Sequence, residues 1–500
     1  MSGRRWWIVV PMISTRQKML LGLLSNLGGA QVQAITLPAG VTPAAFWSSV
    51  RLSTWTGNAF QAQRISDNAT QDFGFRGNAW DIASADAFAP GGWQFAKVYD
   101  QSGNANDLTQ ATAASQPSSN TAAAFGSARP VIYDGIPGTS AKSMAWPAGL
   151  VLARNNYSAF MFCNPTVSWD SDTWYEFFTG STVYSSLYTD TAQTGLAINN
   201  GGSVRTSSLY PRAMPGTIGF TSGAGAQTFY VNGTSATASA VASQSMNTGG
   251  RFGAGVPGLN YVLRGDIFCS MFFASEISGA NSVAIIAALN SAYRAPTSWP
   301  NRLVYGGSSL NAGKYTTYNQ VPHRLANWSG WEIYNFGTVN GQTLATQFAN
   351  RAREYGLYNA SQYCVHTLDA PSNDIQAATF TSQADAETWA DDFFGVTNTA
   401  RATNTTLPFL AASKAAGFNK VVVPTCIARG TFTTVNFKEY ARLRYNLNCR
   451  NNVVANGGAL SDRDGDARLQ TFSNLTYFNA DQTHLTALGY SILGAIDRAA

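Results

Sequence analysis

Charge is scarce in this chain: only 12% of its 500 residues are Asp, Glu, Lys or Arg, about half the share of roughly 25% in an average soluble protein. The net charge of +5 is small for the length, and no Lys/Arg block exists beyond the pair Arg4-Arg5. Without a basic stripe there is no electrostatic footprint for a nucleic-acid partner. Histidine is scarcer still. The three present, His323, His366 and His484, leave few side chains able to act as a base near neutral pH. Cys163, Cys269, Cys364, Cys426 and Cys449 are odd in number, far apart and without CxxC spacing, which speaks against a disulfide framework or a zinc site and for small buried apolar residues. Apolar runs are short, and none nears the ~18 residues that a membrane-crossing helix needs. Arg4-Arg5 precedes the apolar stretch Trp6 to Ile13, and Arg16 and Lys18 precede Met19 to Leu24, so residues 1–34 are expected to form a signal or anchoring segment.

Gly, Ser, Thr, Asn and aromatic residues fill the room that charge leaves, a composition expected of β-rich surfaces that meet sugars. The length exceeds what one hydrophobic core serves, which predicts two domains of roughly 200 to 250 residues. From 35 to 295, short alternating segments are separated by Gly, Asn and Ser clusters, the pattern of a β-sandwich. Phe229-Tyr230-Val231 ends in Asn232-Gly233, a pair suited to a tight hairpin turn, Arg264 to Phe268 opens another apolar strand, and Ser282 to Tyr293 has helical spacing. Pro296 and Pro300 mark a linker over 296–300. Beyond it, apolar segments at 303–305, 331–334, 363–365 and 420–423 alternate with helical spacing at 342–355, 384–393, 405–416, 434–448 and 484–498. Such alternation predicts a parallel sheet with crossover helices over 301–500. In a sheet of that kind chemistry sits at the carboxyl ends of the strands.

The candidate residues fall at those ends. Ser309 follows the first strand within Gly306-Gly307-Ser308-Ser309-Leu310, where glycines permit a tight turn that exposes a hydroxyl. Gly341 follows the second strand and can present a backbone N–H. Asn373 follows the third and carries an amide that can donate to an oxyanion. Arg429 lies after the fourth, at a strand end where contact with substrate is one reading and a structural role the plainer one. Near the C-terminus Asp481 and His484 stand three residues apart. A hydroxyl is a poor nucleophile until an imidazole takes its proton, and the imidazole needs a carboxylate to fix its tautomer. His366, after a buried strand, is expected to be a hydrogen-bonded core histidine, and His323 a loop or helix-start residue.

The order Ser, Gly, Asn, Asp-x-x-His resembles the SGNH hydrolases, also called GDSL-like lipases and esterases, over about 301–500. That resemblance implies a three-layer α/β flavodoxin-like fold, a nucleophile at Ser309, a base at His484 oriented by Asp481, and an oxyanion hole from the N–H groups of Ser309 and Gly341 and the amide of Asn373. No metal or organic cofactor is implied. Two departures stand out. Ser308 occupies a place where that family usually has Asp, and Pro371-Ser372-Asn373-Asp374 stands for its Gly-x-Asn-Asp.

Val98-Tyr99-Asp100-Gln101-Ser102-Gly103-Asn104, with Arg129 to Gly135 further on, resembles the catalytic domain of α-L-arabinofuranosidase B and related concanavalin-like, laminin-G-like jelly rolls over about 45–295. A sugar-facing module is implied. Asp170, Asp172 and Glu176 lie near Trp174 and Tyr175, a neighbourhood a glycosidase would use, although structural acids at a strand edge are the plainer expectation. Together these readings give a carbohydrate esterase that removes O-acyl groups, expected to be O-acetyl, from a polysaccharide, outside the cell or on a virion surface. Its oligomeric state is open. A non-catalytic adhesin or phage-tail receptor-binding protein, and an arabinofuranosidase-like glycosidase, are the competing readings.

Overall fold

The computed structural model describes residues 32–119, 131–134, 142–145, 147–153, 156–165, 178–179, 185–189, 196–200, 203–206, 209, 215–239, 251–252, 264–295, 298–306, 310, 331–336, 351–397 and 405–500. Among the described residues no helix is long and apolar enough to cross a membrane. The N-terminal half is built from β1 (Ala45–Ser48), β2 (Phe60–Arg64), β3 (Thr70–Phe73), β4 (Trp93–Val98), β5 (Tyr157–Pro165), β6 (Gly216–Ser222), β7 (Ala226–Val231), β8 (Thr234–Ser239) and β9 (Arg264–Phe273), with shorter strands between them. Their ladders are antiparallel: β5 lies between β6 and β9, β1 joins the far side of β9, and β2 lies between β3 and β4.

Strand periodicity explains how one sheet serves two cores. Ala45 and Trp47 of β1, with Tyr157, Ala159 and Met161 of β5, pack with Phe60, Phe73, Trp93 and Phe95 of β2 to β4. Their chain neighbours Phe46, Phe160 and Phe162 face the other way and pack with Ile285, Ile286 and Leu289 of the helix α2 (Gly279–Ala292). An earlier helix, α1 (Ile82–Phe88), also stands against the first core. Each large side chain so buried contributes roughly 1.5–3 kcal/mol. The Asn232-Gly233 turn between β7 and β8 has φ of +51° and +92°, as a tight hairpin of this type requires.

The Asp100-to-Asn106 stretch has an architectural role. Asp100 accepts from the backbone N–H of Phe46 at 2.8 Å, of Ser102 at 2.9 Å and of Asn106 at 3.0 Å. Gln101 donates to Ser48 O and accepts from Leu52 N, both at 2.7 Å. These groups clamp a polar loop onto β1 and satisfy backbone that burial would otherwise orphan.

The C-terminal part is an α/β layer structure. β10 (Asn301–Tyr305), β11 (Trp331–Asn335), β12 (Tyr363–Thr367), β13 (Lys420–Pro424) and β14 (Ala459–Ser461) form a parallel sheet in the order β11-β10-β12-β13-β14. Its direction of winding reverses between β10 and β12, so the crevice at their carboxyl ends is where an open sheet of this order takes ligands. β14, only three residues long, carries no clear strand pattern and is absent from the sequence expectation. The helices are α3 (Arg351–Gly356), α4 (Ser372–Ala377), α5 (Gln383–Phe394), α6 (Thr406–Ala415), α7 (Lys438–Asn452) and α8 (Ala487–Ala499). Two depart from their expected starts. α7 begins four residues late, because Asn436 turns its side chain back to Thr433 N at 3.1 Å and Phe437 adopts φ +59°. α8 begins at 487, after Thr486 accepts from Gly489 N at 3.3 Å as a cap, which leaves His484 on the preceding loop.

A buried ionic brace fastens α8 to the sheet. Asp497 receives two hydrogen bonds from Arg463, each 2.8 Å, one from Ser461 at 2.6 Å, and one from the Tyr305 hydroxyl. The brace fixes the helix into which the His484 loop runs. All five cysteines are free and buried, and burial pushes the Cys426 thiol up to about 12, so it is no thiolate at neutral pH.

Candidate active site

Three loops at the carboxyl side of the parallel sheet carry the described candidates. The first leaves β12 and turns at Pro371 into α4, placing Asn373 in the opening turn of that helix. A second leaves β13 and carries Arg429, whose Nη1 donates to Asn373 Oδ1 at 3.3 Å and to Ser372 Oγ at 3.4 Å. The third runs from Phe478 to Thr486. Its ends are pinned by a Phe478–Leu485 bridge, by Asn479 N to His484 O at 2.8 Å and by Thr486 N to Tyr477 O at 2.9 Å. The second and third loops are joined where Gly430 N donates to Gln482 O at 2.8 Å.

Within the third loop Asp481 and His484 form a tight pair. His484 Nδ1 lies 2.5 Å from Asp481 Oδ2, while Oδ1 accepts from the backbone N–H of His484 at 3.0 Å and of Thr483 at 3.1 Å. Three-residue spacing is what permits this, since the turn lets the carboxylate cap the loop and hold the ring at once. Partial burial pushes the Asp481 carboxyl up, but the ring and the two backbone donors outweigh it and hold the group below the usual carboxylate range. His484 itself is buried, 8% exposed. With Nδ1–H given to the carboxylate, Nε2 is the basic nitrogen of the ring.

Ser309 and Gly341 lie outside the described residues, as do Gly307, Ser308, His323, Asp170, Asp172 and Glu176. The neighbours of Ser309 are described. Gly306 donates to Thr367 O at 2.9 Å, and a Cβ on it would stand 3.0 Å from that same backbone oxygen, so the exit from β10 admits only glycine without a shift. Leu310, one residue past Ser309, is buried in a cluster with Ile427, Phe478 and Leu485. Leu485 is the residue after His484. Residues directly next to the candidate nucleophile and the candidate base thus share one apolar cluster.

His366 is a core residue, fully buried, with Nε2 at 2.7 Å from Glu354 Oε2 and Nδ1 at 3.1 Å from Ser413 Oγ. Arg429 does not stand apart for substrate alone, since its contacts tie it to Ser372 and Asn373. The Gly430–Gln482 latch and the Arg429–Asn373 contact were beyond sequence reasoning, because backbone partners and long-range pairs leave no local signature. Among the described residues no cluster of His, Cys, Asp and Glu suits a metal ion.

A family model, the catalytic domain of α-L-arabinofuranosidase B, matches residues 37–142. The match includes the Asp100-to-Asn106 clamp and stops short of Asp170. No curated protein matches the chain. Among solved structures, an arabinofuranosidase complexed with arabinofuranosyl-α-1,2-xylobiose is 15% identical with TM-score 0.39, covering 50% of this chain and 63% of that one. This chain therefore spans less than two thirds of that enzyme. A lipolytic protein of the G-D-S-L family from Veillonella parvula DSM 2008 is 10% identical with TM-score 0.30, covering 40% of this chain and 96% of its own. Domain 4 of an extracellular arabinanase from Geobacillus stearothermophilus, in complex with arabinotriose, is 13% identical with TM-score 0.28, covering 37% of this chain and 91% of its own. At these values the likenesses carry no chemistry over to this chain.

Proposed function

We propose that this protein is a serine carbohydrate esterase in which residues 301–500 remove O-acyl groups, O-acetyl foremost, from a polysaccharide that residues 35–295 hold. The observation that carries the reading is the Asp481–His484 pair, set on a loop whose Leu485 shares an apolar cluster with Leu310, the neighbour of Ser309. In this reading Ser309 attacks the ester carbonyl while His484 Nε2 takes its proton. Asp481 keeps the ring in the required tautomer and stabilises its positive form. The oxyanion is met by N–H groups of Ser309 and Gly341 and by the Asn373 amide. As the ester C–O bond breaks, His484 protonates the departing sugar alkoxide oxygen, and water, activated by the same ring, releases the acid from the acyl-enzyme. A substrate of this kind belongs outside the cell or on a virion surface.

Initial rates on an aryl acetate for wild type, Ser309→Ala and His484→Ala test the reading, with each variant expected to lose about 10³-fold or more. A wild type that leaves aryl acetate and acetylated xylan untouched, or a Ser309→Ala variant of full activity, would sink it. The match of residues 37–142 to an arabinofuranosidase catalytic domain supports a second reading, in which the N-terminal part cleaves arabinofuranosides itself. Hydrolysis of an aryl arabinofuranoside that survives Ser309→Ala would favour it.

A further inference from the structure

Resting on the esterase reading, we infer that Arg429 is the positioning residue for Asn373, holding the amide by its oxygen so that its N–H donors are turned to the developing oxyanion. A side-chain amide can sit either way round in its place. Only one way serves an oxyanion, because Nδ2 donates and Oδ1 does not. A guanidinium carries donors alone, so whichever amide atom faces it at hydrogen-bond distance has to be the oxygen. Arg429 Nη1 stands 3.3 Å from Asn373 Oδ1 and 3.4 Å from Ser372 Oγ. It thus grips two successive residues of the turn that presents the amide.

Arg429 is itself held. Its guanidinium lies over the Phe432 ring, 5.7 Å from the centroid, its carbonyl accepts from Phe432 N at 2.9 Å, and the next residue is latched to Gln482. Burial draws the guanidinium below its ordinary value, opposed by Cys426 and Asp481, yet an arginine stays charged under such conditions. One cation therefore spans the Asn373 turn and the loop that joins the Asp481–His484 loop. The Ser372 hydroxyl, one residue ahead of Asn373, is a second acceptor for the same guanidinium.

The test is a double-mutant cycle on the full chain with p-nitrophenyl acetate, measuring kcat and KM for wild type, R429M, R429K, N373A and R429M/N373A, each checked by its thermal melt. R429M is expected to lower kcat about 10- to 100-fold, below the roughly 10²- to 10³-fold lost with an oxyanion donor itself, with KM little changed, and R429K to recover part of it. In the N373A background R429M should cost less than about twofold, the signature of two residues acting as one. Full, independent losses in the double variant overturn the inference, as does a loss confined to KM on an anionic ester, which would give Arg429 to the charge of the substrate. Should R429M fail to fold, R429Q takes its place in the same cycle. A wild type without turnover, or an active S309A, removes the esterase reading and this inference with it. That result is distinct from an active wild type with a dead S309A and additive losses.

Discussion

His484 and His366 each hold a carboxylate at one ring nitrogen, at 2.5 Å from Asp481 and 2.7 Å from Glu354, and yet their surroundings differ. His366 even has a serine, with Ser413 Oγ 3.1 Å from its other nitrogen, so that by residue type it makes a complete Ser-His-Glu set. But Ser413 and His366 are wholly buried, and the imidazole is packed by Phe409 and Phe418 with ring centroids at 5.2 and 4.7 Å. No ester can reach that hydroxyl, so the trio satisfies polar groups inside a core. His484 stands instead on a loop after the last strand, beside a carboxylate whose side chain is 33% exposed. An imidazole paired with a carboxylate is not by that alone a catalytic group, since at His366 the pairing serves cohesion.

Breaking each trio should move a different observable. Asp481→Asn is expected to lower kcat on an aryl acetate by about 10⁴-fold through the wrong imidazole tautomer, the magnitude such a change has in a serine protease, with the melting temperature nearly unchanged. An equal fall in melting temperature would make the pair structural. Asp497→Ala strips the buried Arg463 of its principal partner and should cost about 3–5 kcal/mol of unfolding free energy by denaturant titration. Activity should then fall only as the folded fraction falls. Glu354→Ala leaves the His366 ring without its charged partner, for a loss of about 1–3 kcal/mol, and kcat per folded molecule should not change. A change in kcat would bring the inner trio into the chemistry.

The smallest expected effect sharpens the comparison by pH. Because Asp481 is held below its unfolded value, the stability it adds is present above that unfolded value and is lost as pH falls through the folded one. Solvent screening keeps it below about 1 kcal/mol. The stability gap between wild type and Asp481→Asn should therefore close only in strong acid, as read from urea titrations at successive pH values.

Much of the fold was legible in local pattern. The four apolar segments of the parallel sheet and the Asn232-Gly233 hairpin declare themselves through period and turn chemistry, since neither depends on distant residues. Helix starts were read less well at α7 and α8, where the Asn436 and Thr486 side chains compete with or cap the backbone. The Asp481–His484 pair was legible for the same local reason, as three-residue spacing in a turn makes contact almost unavoidable. Glu354 and Ser413 were not legible as partners of His366. They lie 12 and 47 residues away, and only the stacking of α3 and α6 on β12 brings them together.

Sequence by itself determined four of the five strands of the parallel sheet, the scarcity of bases that singles out His484, and the carboxylate three residues before it, because each follows from chain-local geometry and residue chemistry. Only the tertiary structure decided that the Asp100 stretch clamps a strand, that Arg429 faces Asn373, and that His366 is enclosed in a core while His484 stands on a loop. These outcomes depend on which surfaces the packed elements leave open, and burial is a property of the whole folded chain that no short stretch contains.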